Sequence, residues 1–86
     1  MPRIFLLDSF KKDYRKLSRE LQQNCEKSLQ FLRQSPEHSS LQTKKMWGVS
    51  GIWEARMSGG YRITFKVEGD CFYIRRVGTH NILKKP

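Results

Sequence analysis

Arg56, Arg62 and His80 are the residues of this chain whose types and spacing suit a chemical step. A guanidinium presents a planar fork of donors that matches phosphate oxygens two at a time. An imidazole exchanges a proton near neutral pH and can hand it to a leaving oxygen. Two arginines and one histidine at a common place would grip a phosphodiester and help to cut it without a metal. Each residue also has a plainer reading: an arginine pair can simply project into solvent, and a histidine near a C-terminus can be structural or solvated. Proximity is what raises the chemical reading, so the strands that carry these residues decide the matter.

Tyr61 to Glu68 alternates, with Tyr61, Ile63, Phe65 and Val67 on one side and Arg62, Thr64, Lys66 and Glu68 on the other. Gly69-Asp70 supplies a two-residue hairpin turn. That turn pairs Phe72 with Val67 and Ile74 with Phe65, and the same register sets Val77 opposite Arg62 with His80 a few residues beyond. A three-residue turn at Ser58-Gly59-Gly60 pairs Ala55 with Ile63 and Trp53 with Phe65, and puts Arg56 opposite Arg62. A two-residue turn there would mix polar and apolar faces and is rejected. Like charges across a strand pair cost up to about 1 kcal/mol, which a bound anion would offset. Glu54, Thr64 and Arg75 fall in the neighbouring row, where Glu54 and Arg75 are placed for a diagonal salt bridge.

The remaining elements follow from composition and periodicity. Arg3 to Leu7 reads as a first strand. Asp8 or Ser9 is placed to cap a helix, and Phe10, Tyr14, Leu17, Leu21, Cys25, Leu29 and Leu32 form a helical stripe that ends before Pro36. Ser18 is a possible second cap, and a helical hairpin fits a small sheet better than one long helix. Pro36 to Gly51 is polar and irregular. The fold expected is α+β, a single domain over residues 1–86: an N-terminal strand, a helical hairpin, and a three-stranded antiparallel meander with the helices on one sheet face.

Eighty-six residues with 37% hydrophobic content support one modest core, and seventeen Lys and Arg against eight Asp and Glu leave a formal charge of +9. Nucleic acid, an acidic protein or an anionic membrane would each complement that charge. The basic residues run from Arg3 to Lys85, which suggests a charged folded surface and not an appended arm. No apolar run approaches the ~20 residues that cross a bilayer, and Met1 to Leu7 meets Asp8 too early for a secretory signal. A cytoplasmic protein is expected, with Cys25 and Cys71 as reduced, buried thiols. No zinc spacing, Gly-rich phosphate loop or nucleophile elbow is present, so no metal and no small-molecule cofactor is expected.

Beyond the central trio, Lys44, Lys45, Lys66, Tyr73, Arg75 and Lys84 are candidates for RNA contact. Tyr73, across from Lys66, is the best placed to stack on a base. Trp53 is better explained as core, Trp47 is balanced between core and base stacking, and His38 reads as plain surface. Lys11, Lys12, Arg15, Lys16 and Arg19 form a basic helix face that is ordinarily solvated.

At these residues the chain resembles the RelE/ParE superfamily of type II toxin–antitoxin toxins. The resemblance is carried by Phe10-Lys11-Lys12-Asp13-Tyr14, Gly51-Ile52-Trp53-Glu54-Ala55-Arg56, Tyr61-Arg62-Ile63-Thr64-Phe65-Lys66-Val67 and Arg76-Val77-Gly78-Thr79-His80, in order along nearly the whole chain. The Gly-Thr-His ending is most similar to the YafQ-like branch. The resemblance implies a metal-free endoribonuclease that cuts ribosome-bound messenger RNA by attack of the ribose 2′-hydroxyl. It implies that Arg62 stabilises the scissile phosphate, that Arg56 lies at an active-site position, and that His80 is the general acid or base. Lys44 and Lys45 would hold ribosomal RNA or assist catalysis. It also implies a cognate antitoxin protein as partner, acidic where it wraps the chain, with messenger and ribosomal RNA as the other partners and no membrane. Asn81 and Lys84 stand where some branches carry an aromatic. Two other functions stay open: a ParE-type toxin that contacts DNA gyrase without cutting RNA, and a basic nucleic-acid-binding module without catalysis.

Overall fold

The computed structural model describes residues 2–46 and 51–86, so the reading of Trp47 lies outside the described residues. The chain forms strand β1 (Arg3–Leu6), helices α1 (Asp8–Arg15) and α2 (Arg19–Gln34), the two-residue strand β2 (Lys44–Lys45), and strands β3 (Ile52–Arg56), β4 (Arg62–Glu68) and β5 (Cys71–Gly78). Short 3-10 turns occupy Ser39–Leu41, Ser58–Gly60 and His80–Lys84. One mixed sheet has the order β1-β5-β4-β3-β2, with β1 parallel to β5 and the other pairs antiparallel.

The expected α+β architecture is the one observed, with a helical hairpin and the β3-β4-β5 meander. Two additions enlarge it. β1 docks on the far side of β5, and Lys44–Lys45, expected to be irregular, add a fifth strand beside β3. Ser18 does break the helical stripe: its hydroxyl accepts the Leu21 amide at 3.2 Å and caps α2. The proposed cap at Asp8 or Ser9 is corrected, because Leu7 takes the cap position of α1 without a side-chain bond. Ser9 instead donates its hydroxyl to the Arg75 carbonyl at 2.6 Å.

The core lies between the helices and one sheet face. Phe10, Cys25 and Leu32 from the helices meet Ala55, Ile63, Phe65, Ile74 and Val77 from the strands, with Trp53 packed at the margin. Trp53 stacks on Phe65 at 6.5 Å between ring centroids, as its core reading requires. Gly69 enters the β4–β5 turn with φ of +61°, a left-handed conformation that glycine adopts without a Cβ clash. Both cysteines are free thiols; Cys25 is fully buried, while Cys71 is half-buried, contrary to the expectation that both are buried. Burial, and after it the nearby Glu26 charge, pushes the Cys25 thiol up to about 12, which makes it a poor nucleophile at neutral pH.

α1 has a second task. β1 stops at Leu6, so the later half of β5 would present an open edge toward α1. Ser9 takes up the Arg75 carbonyl, and Asp13 Oδ2 accepts the Val77 amide at 3.2 Å. The same carboxylate holds Arg76 through Nε at 2.6 Å and a second guanidinium nitrogen at 3.2 Å. That hydrogen bond raises the Arg76 guanidinium above its ordinary value.

Candidate functional site

The sheet face turned away from the helices is laid out in rows across the strands. From one end these are Arg3, Cys71 and Glu68; then Phe5, Tyr73, Lys66 and Ile52; then Arg76, Thr64, Glu54 and Lys44; and last Gly78, Arg62 and Arg56. Period-two alternation assigns these side chains to one face.

The β3–β4 register matches the expectation pair by pair, including Trp53 with Phe65, Ala55 with Ile63, and Arg56 with Arg62. The β4–β5 register begins as expected, with Val67 opposite Phe72 and Phe65 opposite Ile74. It then slips. Thr64 faces Arg76, so Arg75 is the extra residue of a β-bulge, and Arg62 faces Gly78 in place of the expected Val77. The bulge keeps Val77 buried opposite Ile63 and brings His80 to within two residues of Arg62's cross-strand partner.

Arg62 and Arg56 share a row but have different partners. Arg62 Nε lies 3.5 Å from Glu54 Oε1, and Lys44 Nζ lies 3.7 Å from the same oxygen. The Glu54 side chain is only 9% exposed, while Arg62 is 31% and Lys44 70% exposed. A buried carboxylate thus anchors two cations whose charged ends reach solvent. Arg56 donates to Gln42 Oε1 at 3.3 Å and lines an open hollow with Asn24, Lys27 and Phe31 of α2. The expected diagonal bridge between Glu54 and Arg75 is therefore corrected. Glu54 is taken by Lys44 and Arg62, and Arg75 Nε donates to the Pro86 carbonyl at 3.0 Å.

The two adjacent lysines diverge because strand neighbours point to opposite faces. Lys44 joins Glu54, whereas Lys45 places its ammonium over the Trp53 ring at 5.5 Å on the other side. Lys66 pairs with Glu68 at 3.4 Å, and Tyr73 stacks on Phe5 with centroids 5.3 Å apart. The neighbouring Cys71 is the first cause that holds the Tyr73 phenol above its ordinary value. His80 and Lys84 are exposed at the two ends of the last 3-10 helix. The Thr64 hydroxyl is buried in the middle of the face, with no hydrogen-bond partner among the described residues. No group of His, Cys, Asp or Glu among the described residues is arranged to hold a metal ion.

Spacing alone pairs Glu54 with Arg75 and gives Asp13 no role, whereas Glu54 bridges to Arg62 and Asp13 holds Arg76. The alternation signal put Glu54 in the row beside Arg62, and its burial at a position facing away from the helices is what marks it as an anchor. Asp13 gave no signal, since its partners lie on β5, far along the chain.

Gly78 ties this end of the sheet to the last 3-10 helix. A Cβ at Gly78 would stand 2.6 Å from Ile82 Cγ2, and Ile82 is buried. Gly78→Ala is therefore expected to push the His80–Lys84 segment outward, at a cost of about 1–3 kcal/mol in stability. A thermal melt of the variant checks this.

The fold has solved counterparts. Neither a protein-family model nor any curated protein sequence matches the chain. The Escherichia coli RelBE toxin–antitoxin complex contains a chain of 21% identity; the match covers 92% of this chain and 96% of that one, with a TM-score of 0.73. The RelB–RelE complex of Methanococcus jannaschii contributes one of 22% identity, covering 93% and 94%, with a TM-score of 0.75. YafQ of E. coli is 16% identical over 96% and 98% of the two chains, with a TM-score of 0.77. Shared overall architecture over almost the full length of both chains is what these matches demonstrate. This chain has the RelE/ParE toxin fold.

Proposed function

We propose that this chain is the toxin of a type II toxin–antitoxin pair, and that it inhibits translation by cutting messenger RNA on the ribosome without a metal. The observation that carries the reading is Arg62, anchored by the buried Glu54 carboxylate and standing opposite Gly78, two residues before His80. Its guanidinium is held ready for the scissile phosphate, so little reorganisation is needed as charge builds on the phosphoryl oxygens. The 2′-hydroxyl gives its proton to water as it attacks phosphorus, the bond to the 5′-oxygen breaks, and the His80 imidazolium protonates that oxygen. The products are a 2′,3′-cyclic phosphate and a 5′-hydroxyl end. Arg56 waits beside Arg62 in the same row, tethered to Gln42 until RNA competes for it.

The other cations suit a large RNA partner. Lys44 and Lys66 lie on the reacting face, while Lys45 and Lys84 extend the charge around its rim, where ribosomal RNA would meet it. Two of the similar structures are complexes of a RelE toxin with a RelB antitoxin. An antitoxin for this chain would be acidic in the segment that wraps it, and the complex would tighten at low salt. No helix among the described residues is long and apolar enough to cross a membrane, and the work proposed belongs in the cytoplasm, where ribosomes are.

The test is to sequence RNA ends after brief induction of the chain in growing cells. New 5′-hydroxyl ends within translated messages are expected, and they should be absent when His80→Ala is induced to the same level. Growth arrest without new RNA ends would overturn the nuclease reading in favour of protein contact of the gyrase-binding kind. No growth arrest at all would leave a nucleic-acid-binding module as the better description.

A further inference from the structure

Two rows from Arg62, the same sheet face carries a feature that the cleavage chemistry does not use. Phe5 of β1 and Tyr73 of β5 are register partners, and their rings stack 5.3 Å apart at an interplanar angle of 18°. β1 is an edge strand, so the outer side of Phe5 has no neighbouring strand, and the residue is 39% exposed. The Arg3 guanidinium lies 5.7 Å from the centre of that ring. Lys66 stands opposite Tyr73 in the same row, with Glu68 3.4 Å from its ammonium and 45% of its side chain exposed. A phenylalanine exposed on an edge strand is a poor choice for stability alone, since its burial there is incomplete. An exposed aromatic stack with a guanidinium over one ring and an ammonium beside the other is instead well matched to single-stranded nucleic acid. Bases extend the stack, and the cations take the phosphates.

We propose that Phe5 and Tyr73 form a base-stacking platform, with Arg3 and Lys66 as its phosphate contacts, that binds single-stranded RNA. The proposal rests on the nuclease reading for its place in the reaction. Lys66 and Arg62 are four residues apart on β4, about 13 Å, so the platform holds bases a few nucleotides from the bond that is cut. The stack joins an edge strand to its neighbour, so it is rigid, and it reads the presence of a base and not its identity. The charge of +9 favours an RNA strand over a second copy of this chain, which would bring its own excess of cations.

The experiment uses the full chain and two fluorescent 2′-O-methyl octanucleotides, one of adenosine residues and one abasic at every position. Neither can be cut by 2′-hydroxyl attack, so binding is read apart from cleavage. Fluorescence anisotropy should show the base-bearing oligomer binding at least about tenfold more tightly than the abasic one. Phe5→Ala and Tyr73→Ala should each remove most of that preference and leave the abasic affinity unchanged. Phe5→Trp should keep the preference, and its new indole emission should be quenched by the base-bearing oligomer alone. That variant preserves the test should either alanine variant fail to fold. Equal affinity of the unaltered chain for both oligomers would overturn the platform, and so would alanine variants that keep the preference. Self-association that Phe5→Ala abolishes, in the absence of any base preference, would assign the surface to a second copy and also overturn it. A chain that cuts no RNA yet shows the preference retains the platform and loses only the nuclease reading.

Discussion

Arg62→Ala is expected to lower the cleavage rate by about 10²–10³-fold, the usual penalty for deleting one donor to a developing oxyanion. Stability should change far less. Glu54 keeps Lys44 as a counter-charge 3.7 Å away, and the Arg62 side chain is already one-third open to water. A melting temperature within a few degrees of the unaltered chain would show that the fold persists. Arg62→Lys separates charge from shape: an ammonium keeps the positive charge but loses the fork, so it should recover only part of the rate. Single-turnover cleavage on ribosomes loaded with a defined message is the appropriate measurement. A rate for Arg62→Ala within about threefold of the unaltered chain would remove Arg62 from the chemistry. In that event the Glu54–Arg62–Lys44 cluster would be a structural ion network and no more.

The largest stability effect should come from a residue with no part in the chemistry. Asp13→Ala is expected to cost about 2–4 kcal/mol, because one carboxylate satisfies three donors. It accepts two bonds from the Arg76 guanidinium and one from the Val77 amide. Without it, a half-buried arginine loses its partner and an edge amide of β5 is left facing α1. Both side chains keep some contact with water, 14% for Asp13 and 29% for Arg76, which holds the estimate below that for a sealed pair. In a domain of this size each kcal/mol moves the midpoint by about 4–8 °C, so a drop of at least about 8 °C is expected. Ser9→Ala removes one neutral bond from the same edge and should cost about 1 kcal/mol. Thermal unfolding followed by circular dichroism checks both. A shift under 3 °C for Asp13→Ala would mean that the Asp13–Arg76 clasp adds little to what holds α1 on β5.

The two residues mark opposite limits of what can be read from order along the chain. Arg62's position opposite Arg56 was legible because it depends on local quantities: the alternation of Tyr61 to Glu68, and a turn whose length is settled by matching apolar faces. The Ser18 cap was legible for the same reason, since its hydroxyl bonds an amide three residues away. The hairpin turn at Gly69-Asp70 set the first pairs of β4 with β5 correctly.

Only the folded molecule decided the rest. The bulge at Arg75 depends on β5 answering to three neighbours at once: β4 on one side, β1 for its first half, and α1 for its second. No periodicity within β5 encodes that compromise, yet it moves Gly78 opposite Arg62 and thereby places His80. β2 is two residues long, too short to leave a pattern, yet it sends Lys44 to Glu54 on one face and Lys45 to Trp53 on the other. The Glu54 anchor and the Asp13–Arg76 clasp join residues from different strands or from a helix and a strand, and such pairs are chosen by packing. The sequence by itself thus determined the fold class and the residue types of the candidate site. The tertiary structure decided which cations stand together, because that choice rests on strand register across the whole sheet and not on spacing along any one strand.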